Sequence, residues 1–115
     1  MGEGYFSKVV KAHDNTTGED VAIKIIRAVD RYADSAKIEI QILEEVSRKD
    51  PEDKYKIVKY IDNFQYLDHI CIVCGLCAMS VYDFLTKNKY HPFPMKDIQS
   101  ISYQLIHSLS CKYLI

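Results

Sequence analysis

The sequence predicts an α+β domain in which a small antiparallel sheet is interrupted by one helix and followed by two more. Three observations predict it. Strand-like runs bounded by turn residues occupy residues 5–26 and 56–74; an amphipathic stretch over residues 34–46 lies between them; and apolar residues return at helical spacing from Ile98 onward.

Residues 5–13 mix Val9 and Val10 with polar neighbours, and His13-Asp14-Asn15-Thr16-Thr17-Gly18 is a turn signal ahead of residues 21–26, which predicts a hairpin. Residues 34–46 set Ala36, Ile38, Ile40, Ile42, Leu43 and Val46 among Glu and Lys, which predicts a helix capped by Asp34 or Ser35. Lys49-Asp50-Pro51-Glu52-Asp53 ends it with a loop. Residues 56–64 and 69–74 predict a second strand pair turning near Leu67-Asp68. A short helix follows over residues 81–88, punctuated by His91-Pro92-Phe93-Pro94. Ile98, Ile101, Leu105 and Leu109 mark a last helix running to the C-terminus.

Composition narrows the function classes. With 115 residues, 48% apolar and 27% charged, the chain reads as one packed domain with a modest core. Its 15 basic and 16 acidic residues are interspersed and give a net charge of −1, which argues against a broad electrostatic footprint for nucleic acid. Lys54, Lys56 and Lys59 come nearest to a basic patch, and their spacing reads as a solvated face. The tyrosines show no platform spacing with arginines. No apolar run approaches a membrane span, and Met1 leads into Gly-Glu-Gly without a signal segment. With four cysteines and no sign of a secreted scaffold, an intracellular location is expected.

Three features carry chemistry. Gly2-Glu3-Gly4-Tyr5-Phe6-Ser7 is a glycine loop ahead of a strand, where the absence of Cβ atoms lets backbone N–H groups approach a phosphate. Ser7 stands at the third position of the G-x-G-x-x-G pattern, and taken alone the motif also fits a tight turn. In Val21-Ala22-Ile23-Lys24, strand alternation puts Ala22 and Lys24 on one face, and a lysine among apolar neighbours needs a phosphate or a carboxylate. Glu39, set among apolar residues of the predicted helix, suits that carboxylate; the pattern fits equally a surface Glu paired with Lys37.

The run Cys71-x-x-Cys74-x-x-Cys77, with Cys111 beyond it, invites a metal or iron–sulfur reading. A close fourth cysteine is missing, with Ser80 and Val81 in its place, and a strand over Cys71-Ile72-Val73-Cys74 sends its two thiols to opposite faces. Small apolar filler is the expected role, and no metal site is expected. His13, His69, His91 and His107 are dispersed, and no Ser-His-Asp or Cys-His arrangement emerges.

Together the glycine loop, Val21-Ala22-Ile23-Lys24 and the helix bearing Glu39 resemble the signature set of a protein kinase. Val29-Asp30-Arg31-Tyr32, Lys37-Ile38-Glu39-Ile40-Gln41-Ile42-Leu43, Asp68-His69-Ile70-Cys71-Ile72-Val73 and Val81-Tyr82-Asp83-Phe84-Leu85 resemble the LAMMER, or CDC-like, dual-specificity kinases, across the whole chain. The resemblance implies a partial kinase domain over residues 1–115. Residues 1–74 would form an N-terminal lobe lacking most of its first strand, 75–80 a hinge, and 81–115 the first two helices of an incomplete C-terminal lobe.

It implies ATP as the cofactor. Gly2, Glu3, Gly4, Tyr5, Phe6, Ser7 and Val9 would cover the phosphates, and Val9 and Ala22 would touch the adenine. Lys24 would reach the α and β phosphates while pairing with Glu39, Cys74 would stand as gatekeeper, and Gly75, Leu76 and Cys77 would bond the adenine through hinge backbone. Gly75 departs from the acidic residue usual at that hinge. The catalytic loop resembling H-x-D-L-K-P-E-N would begin just past Ile115 with the D-F-G segment beyond it, so Mg²⁺ is expected only in a complete kinase and these residues alone are expected not to transfer phosphate. Protein substrates, including Arg/Ser-rich splicing factors, and a nuclear location are implied by the resemblance alone. The alternative is a non-catalytic nucleotide-binding or protein-interaction module.

Overall fold

The computed structural model describes residue 2 and residues 4–111. Strand β1 spans Ser7–His13 and β2 spans Asp20–Ile26; helix α1 spans Asp30–Lys49; β3 spans Tyr60–Tyr66 and β4 spans His69–Gly75; helices α2 and α3 span Val81–Lys87 and Met95–Ser110. The four strands form one antiparallel sheet in the order β1-β2-β4-β3. Central strands β2 and β4 contribute Val21, Ile26, Cys71 and Ile72 to the buried core, whereas edge strands β1 and β3 contribute none. Helix α1 adds Ala36 and Val46.

Each turn has a physical cause. The Asp14 carboxylate accepts the amide of Thr16 and Gly18 takes φ 74°, which closes the β1–β2 hairpin. At the β3–β4 hairpin Tyr66 pairs with His69 across Leu67 and Asp68, at φ 44° and 64°. A two-residue turn of this hand matches the twist of its strands, although neither residue is the glycine or asparagine that enters it most easily.

Helix α1 begins earlier than the expected Asp34 or Ser35 cap. Val29, in extended conformation, accepts the amides of Tyr32 and Ala33, and Asp30 places an acid at the positive end of the helix. The Ser35 hydroxyl turns back to the Arg31 carbonyl, and Asp34 pairs with Lys37 one turn on, so neither side chain caps. The helix also runs past Val46, because Arg48 and Lys49 pair with Glu45 and sit favourably at its negative end.

Strand β3 starts at Tyr60 rather than Lys56. Asp53 and Lys56 adopt φ 52°, and the Asp50 carboxylate accepts the amides of Lys54 and Tyr55, which ties the preceding residues into a loop. Lys56 pairs there with Asp53 at 2.9 Å. A register shift between Tyr60 and Asp62 then re-aims the edge strand.

Helix α2 opens with a capping box. Ser80 Oγ accepts the Asp83 amide at 3.0 Å, and the Asp83 carboxylate accepts the Ser80 amide and hydroxyl. It closes when the Lys89 and Tyr90 amides bond the Thr86 and Leu85 carbonyls, with Lys89 at φ 53°. Helix α3 meets the α1–β3 loop at its C-terminal end. Ser108 Oγ donates to the Tyr55 carbonyl at 2.7 Å, the His107 and Tyr55 rings stack at 5.1 Å, and Cys111 is buried. The expected continuation of this helix to the C-terminus falls on residues 112–115, outside the described residues.

Candidate nucleotide site

The sheet register assembles the site. Antiparallel partners share a face, so Val9, Lys24 and Ile72 form one row across β1, β2 and β4, and Lys11, Ala22 and Cys74 form the next. Cys71 stands opposite Ile25 and Cys74 opposite Ala22, on opposite faces of β4. Helix α1 crosses the face that carries Lys24. There Lys24 Nζ donates to both carboxylate oxygens of Glu39, at 2.6 and 2.9 Å.

Of the two environments open to Glu39, the structure has the bond to Lys24, and Lys37 pairs with Asp34 instead. The Lys24 and Glu39 side chains remain 35% and 40% exposed, so the pair lies at the mouth of a cleft rather than in the core. A pair this open adds about 1 kcal/mol or less to stability. Its value is positional: it fixes an ammonium that still has a third proton to donate.

Two clefts flank this row. One, of about 750 Å³, lies between the glycine-loop tip and α1 and is lined by Tyr5, Phe6, Ser7, Lys24 and Glu39. The other, of about 610 Å³, is lined by Gly2, Val9 and Cys77 together with Ser80 and Asp83. The expected site residues therefore divide between a loop-and-lysine end and a hinge end. Cross-strand pairing of Val9 with Lys24 joins them. Ala22, Cys74, Gly75 and Leu76 line neither cleft. Glu3 lies outside the described residues.

The loop is a tight backbone turn. Gly4 donates its amide to the Ser7 carbonyl at 2.8 Å, and Val9 donates to Gly2. A Cβ on Gly2 would meet nothing within 4 Å, so the backbone there borders open space. At the hinge end, Gly75 donates to the Lys59 carbonyl at 2.8 Å, and a Cβ on it would come no closer than 3.5 Å to Lys59. Burial foremost, with the Glu39 carboxylate adding, pushes the Cys74 thiol above its ordinary range, so it stays uncharged.

Sequence reasoning missed Arg31, Tyr32, Ser35 and Ala36, which line the larger cleft. Arg31 and Tyr32 lie ahead of the expected helix start, whereas Ser35 and Ala36 fall inside it. Tyr32 lies seven residues before Glu39, a helical spacing that would have placed it on the same face. Among the described residues no group of three or more His, Cys, Asp or Glu converges as for a metal ion, and no helix is long and apolar enough to cross a membrane.

An antiparallel sheet with one crossing helix, ion-paired to its central strand beneath a glycine loop, is the small-lobe arrangement of the protein kinase fold. The protein kinase domain family matches residues 1–114, and the chain belongs to that family. Within it the relatives are of the LAMMER or CDC-like type. The dual specificity protein kinase lkh1 of Schizosaccharomyces pombe is 42% identical over 110 residues, covering 96% of this chain and 16% of its own length. The serine/threonine-protein kinase Doa of Drosophila melanogaster is 42% identical over 109 residues, covering 95% and 13%. Mouse dual specificity protein kinase CLK1 is 40% identical over 111 residues, covering 96% and 23%. A crystal structure of a kinase domain superposes with a TM-score of 0.87 at 32% identity, over 96% of this chain and 32% of that one. The chain thus spans less than a quarter of the length of these curated relatives.

Proposed function

We propose that these residues form the ATP-binding lobe of a dual-specificity protein kinase that transfers the γ-phosphate to Ser, Thr or Tyr of proteins. The observation that carries the reading is the bidentate Lys24–Glu39 pair, opposite Val9 and beneath the glycine loop. The residues fit the nucleotide: a directed ammonium in one cleft, and open backbone at Gly2 beside apolar Val9 in the other. ATP supplies the transferable phosphoryl group. The chain's own residues position it: Gly2 to Val9 cover the phosphates, Lys24 neutralises their charge while Glu39 holds it in place, Val9 and Ala22 flank the base, and Gly75 to Cys77 bond it through backbone.

In this reading residues 1–74 are the N-terminal lobe, 75–80 the hinge and 81–115 the first helices of the C-terminal lobe. The 115 residues include no H-x-D-L-K-P-E-N and no D-F-G segment, and the last acidic residue is Asp97. The base and the Mg²⁺ ligands therefore belong to other residues, and this stretch alone binds nucleotide without transferring phosphate. Arg/Ser-rich splicing factors as substrates and an intracellular, nuclear location are part of the proposal. The alternative is a non-catalytic nucleotide-binding or protein-interaction module, in which the cleft beside Lys24 holds nucleotide without phosphate transfer. Radiolabel transfer to a basic protein substrate by the product of the full reading frame separates the two.

Calorimetric titration tests the site. ATP binds the full chain, and Lys24→Met loses a charge-assisted hydrogen bond of about 1.5 to 3 kcal/mol, weakening binding roughly 10- to 150-fold. Glu39→Ala weakens it less, since Glu39 acts through Lys24. Unchanged ATP affinity in Lys24→Met would remove the assignment.

A further inference from the structure

Tyr32 takes no part in the nucleotide contacts above, yet it joins the two elements that hold them. On α1, Tyr32, Ser35, Ala36 and Glu39 follow one another at helical spacing along a single face. Glu39 is fixed to Lys24 at one end of that face. At the other, the Tyr32 ring meets the Phe6 ring edge to face, with centroids 5.1 Å apart and planes at 89°. Phe6 in turn meets Tyr5 at 5.2 Å.

Tyr32 is itself held by its neighbour Arg31. The Arg31 guanidinium lies 4.8 Å over the ring and donates to the hydroxyl at 2.8 Å. The loop tip is anchored at its base by the Arg27 amide, which donates to the Phe6 carbonyl. We propose that Tyr32 is a positioning residue for the nucleotide phosphates: through Phe6 it pins the glycine-loop tip to α1, so that loop and Lys24 keep one fixed spacing. This rests on the nucleotide reading of the site.

The two-cleft geometry makes the proposal specific. The Phe6–Tyr32 contact belongs to the loop-and-lysine cleft, and the hinge cleft lined by Val9 and Cys77 does not include either ring. Loss of the Tyr32 ring therefore acts on the phosphate end of the nucleotide and leaves the base end alone. A merely structural aromatic pair would affect both ends alike.

The experiment titrates ATP and, separately, adenosine into the full chain and into Tyr32→Ala and Tyr32→Phe. An edge-to-face pair is worth a factor of roughly two to ten. The expected result is that Tyr32→Ala weakens ATP by such a factor and leaves adenosine unchanged, while Tyr32→Phe, which keeps the ring, retains both. Equal weakening of ATP and adenosine, or of neither, overturns the proposal. An unfolding cycle over Phe6→Ala, Tyr32→Ala and the double variant tests the contact without nucleotide: non-additive effects are expected, and additive ones also overturn it. If the unaltered chain binds neither ligand, the nucleotide reading fails and the positioning role fails with it, whereas binding of both by the unaltered chain with no split in Tyr32→Ala rejects the positioning role alone.

Discussion

The half of the molecule made of the sheet and α1 and the half made of α2 and α3 contain similarly apolar sequence but bury it very differently. Val21, Ile26, Ala36, Val46, Cys71 and Ile72 are all buried in the first half. In the second, neither helix has a buried residue, and among the described residues the one buried position is Cys111, just past α3. Leu105 and Leu109 are 60% and 61% exposed although they stand at the spacing of a core-facing helix. The difference teaches where the stability of the described residues resides. The sheet supplies its own cover, since α1 packs on it, while α3 meets the α1–β3 loop through its last turn and leaves Leu105 and Leu109 exposed.

The largest expected effect separates the halves outright. Ile72→Ala, at a position 1% exposed, should cost about 2 to 5 kcal/mol in denaturant unfolding. Leu105→Ala should stay within about 0.5 kcal/mol. Equal losses would show that α3 packs as tightly as the sheet. Next, Ser108→Ala removes the hydrogen bond to the Tyr55 carbonyl and should cost about 0.5 to 1.5 kcal/mol, with faster hydrogen exchange in α3 and unchanged exchange in β2 and β4. Acceleration throughout would mean that both halves unfold as one unit.

A matched pair of glycine substitutions sharpens the contrast. Asp68 and Lys89 both hold left-handed backbone, at φ 64° and 53°, so glycine at either relieves about 1 kcal/mol or less. Asp68→Gly, in the hairpin of the packed half, should raise the global unfolding midpoint. Lys89→Gly should slow exchange in α2 alone.

The smallest effect is pH-dependent. The Ser80 hydroxyl, and then its amide, hold the Asp83 carboxyl below its ordinary value of 3.8. A depressed carboxylate stabilises the folded form above its unfolded value and loses that contribution as pH falls through the folded one. The α2 capping box should therefore weaken only below about pH 4. Asp83→Asn should remove this acid limb from the α2 amide signals, and a limb that survives would place it on another carboxylate.

Much of this was legible in the sequence because the signals are local. Alternation over residues 21–26 and 69–74, the turn after His13 and the Ile98 to Leu109 spacing each depend on neighbours only. What failed was end-point detail set by contacts the sequence does not order. The α1 start moved to Asp30 because Ser35 bonded back into the helix, and β3 shortened because Asp50 captured two amides of the preceding loop. The Lys24–Glu39 pairing was one of two options on periodicity, and only the helix's crossing of the Lys24 face separates them. Tyr32 stayed invisible because its partner is a loop residue 26 positions earlier, a contact made by tertiary packing.

The most direct test of the central claim is an amide-resolved NMR titration of the full chain with ATP. Shifts are expected at Gly4 to Val9, Lys24 and Gly75 to Cys77, with Leu105 and Leu109 unmoved. Shifts confined to the exposed face of α3, or none at all, would contradict it.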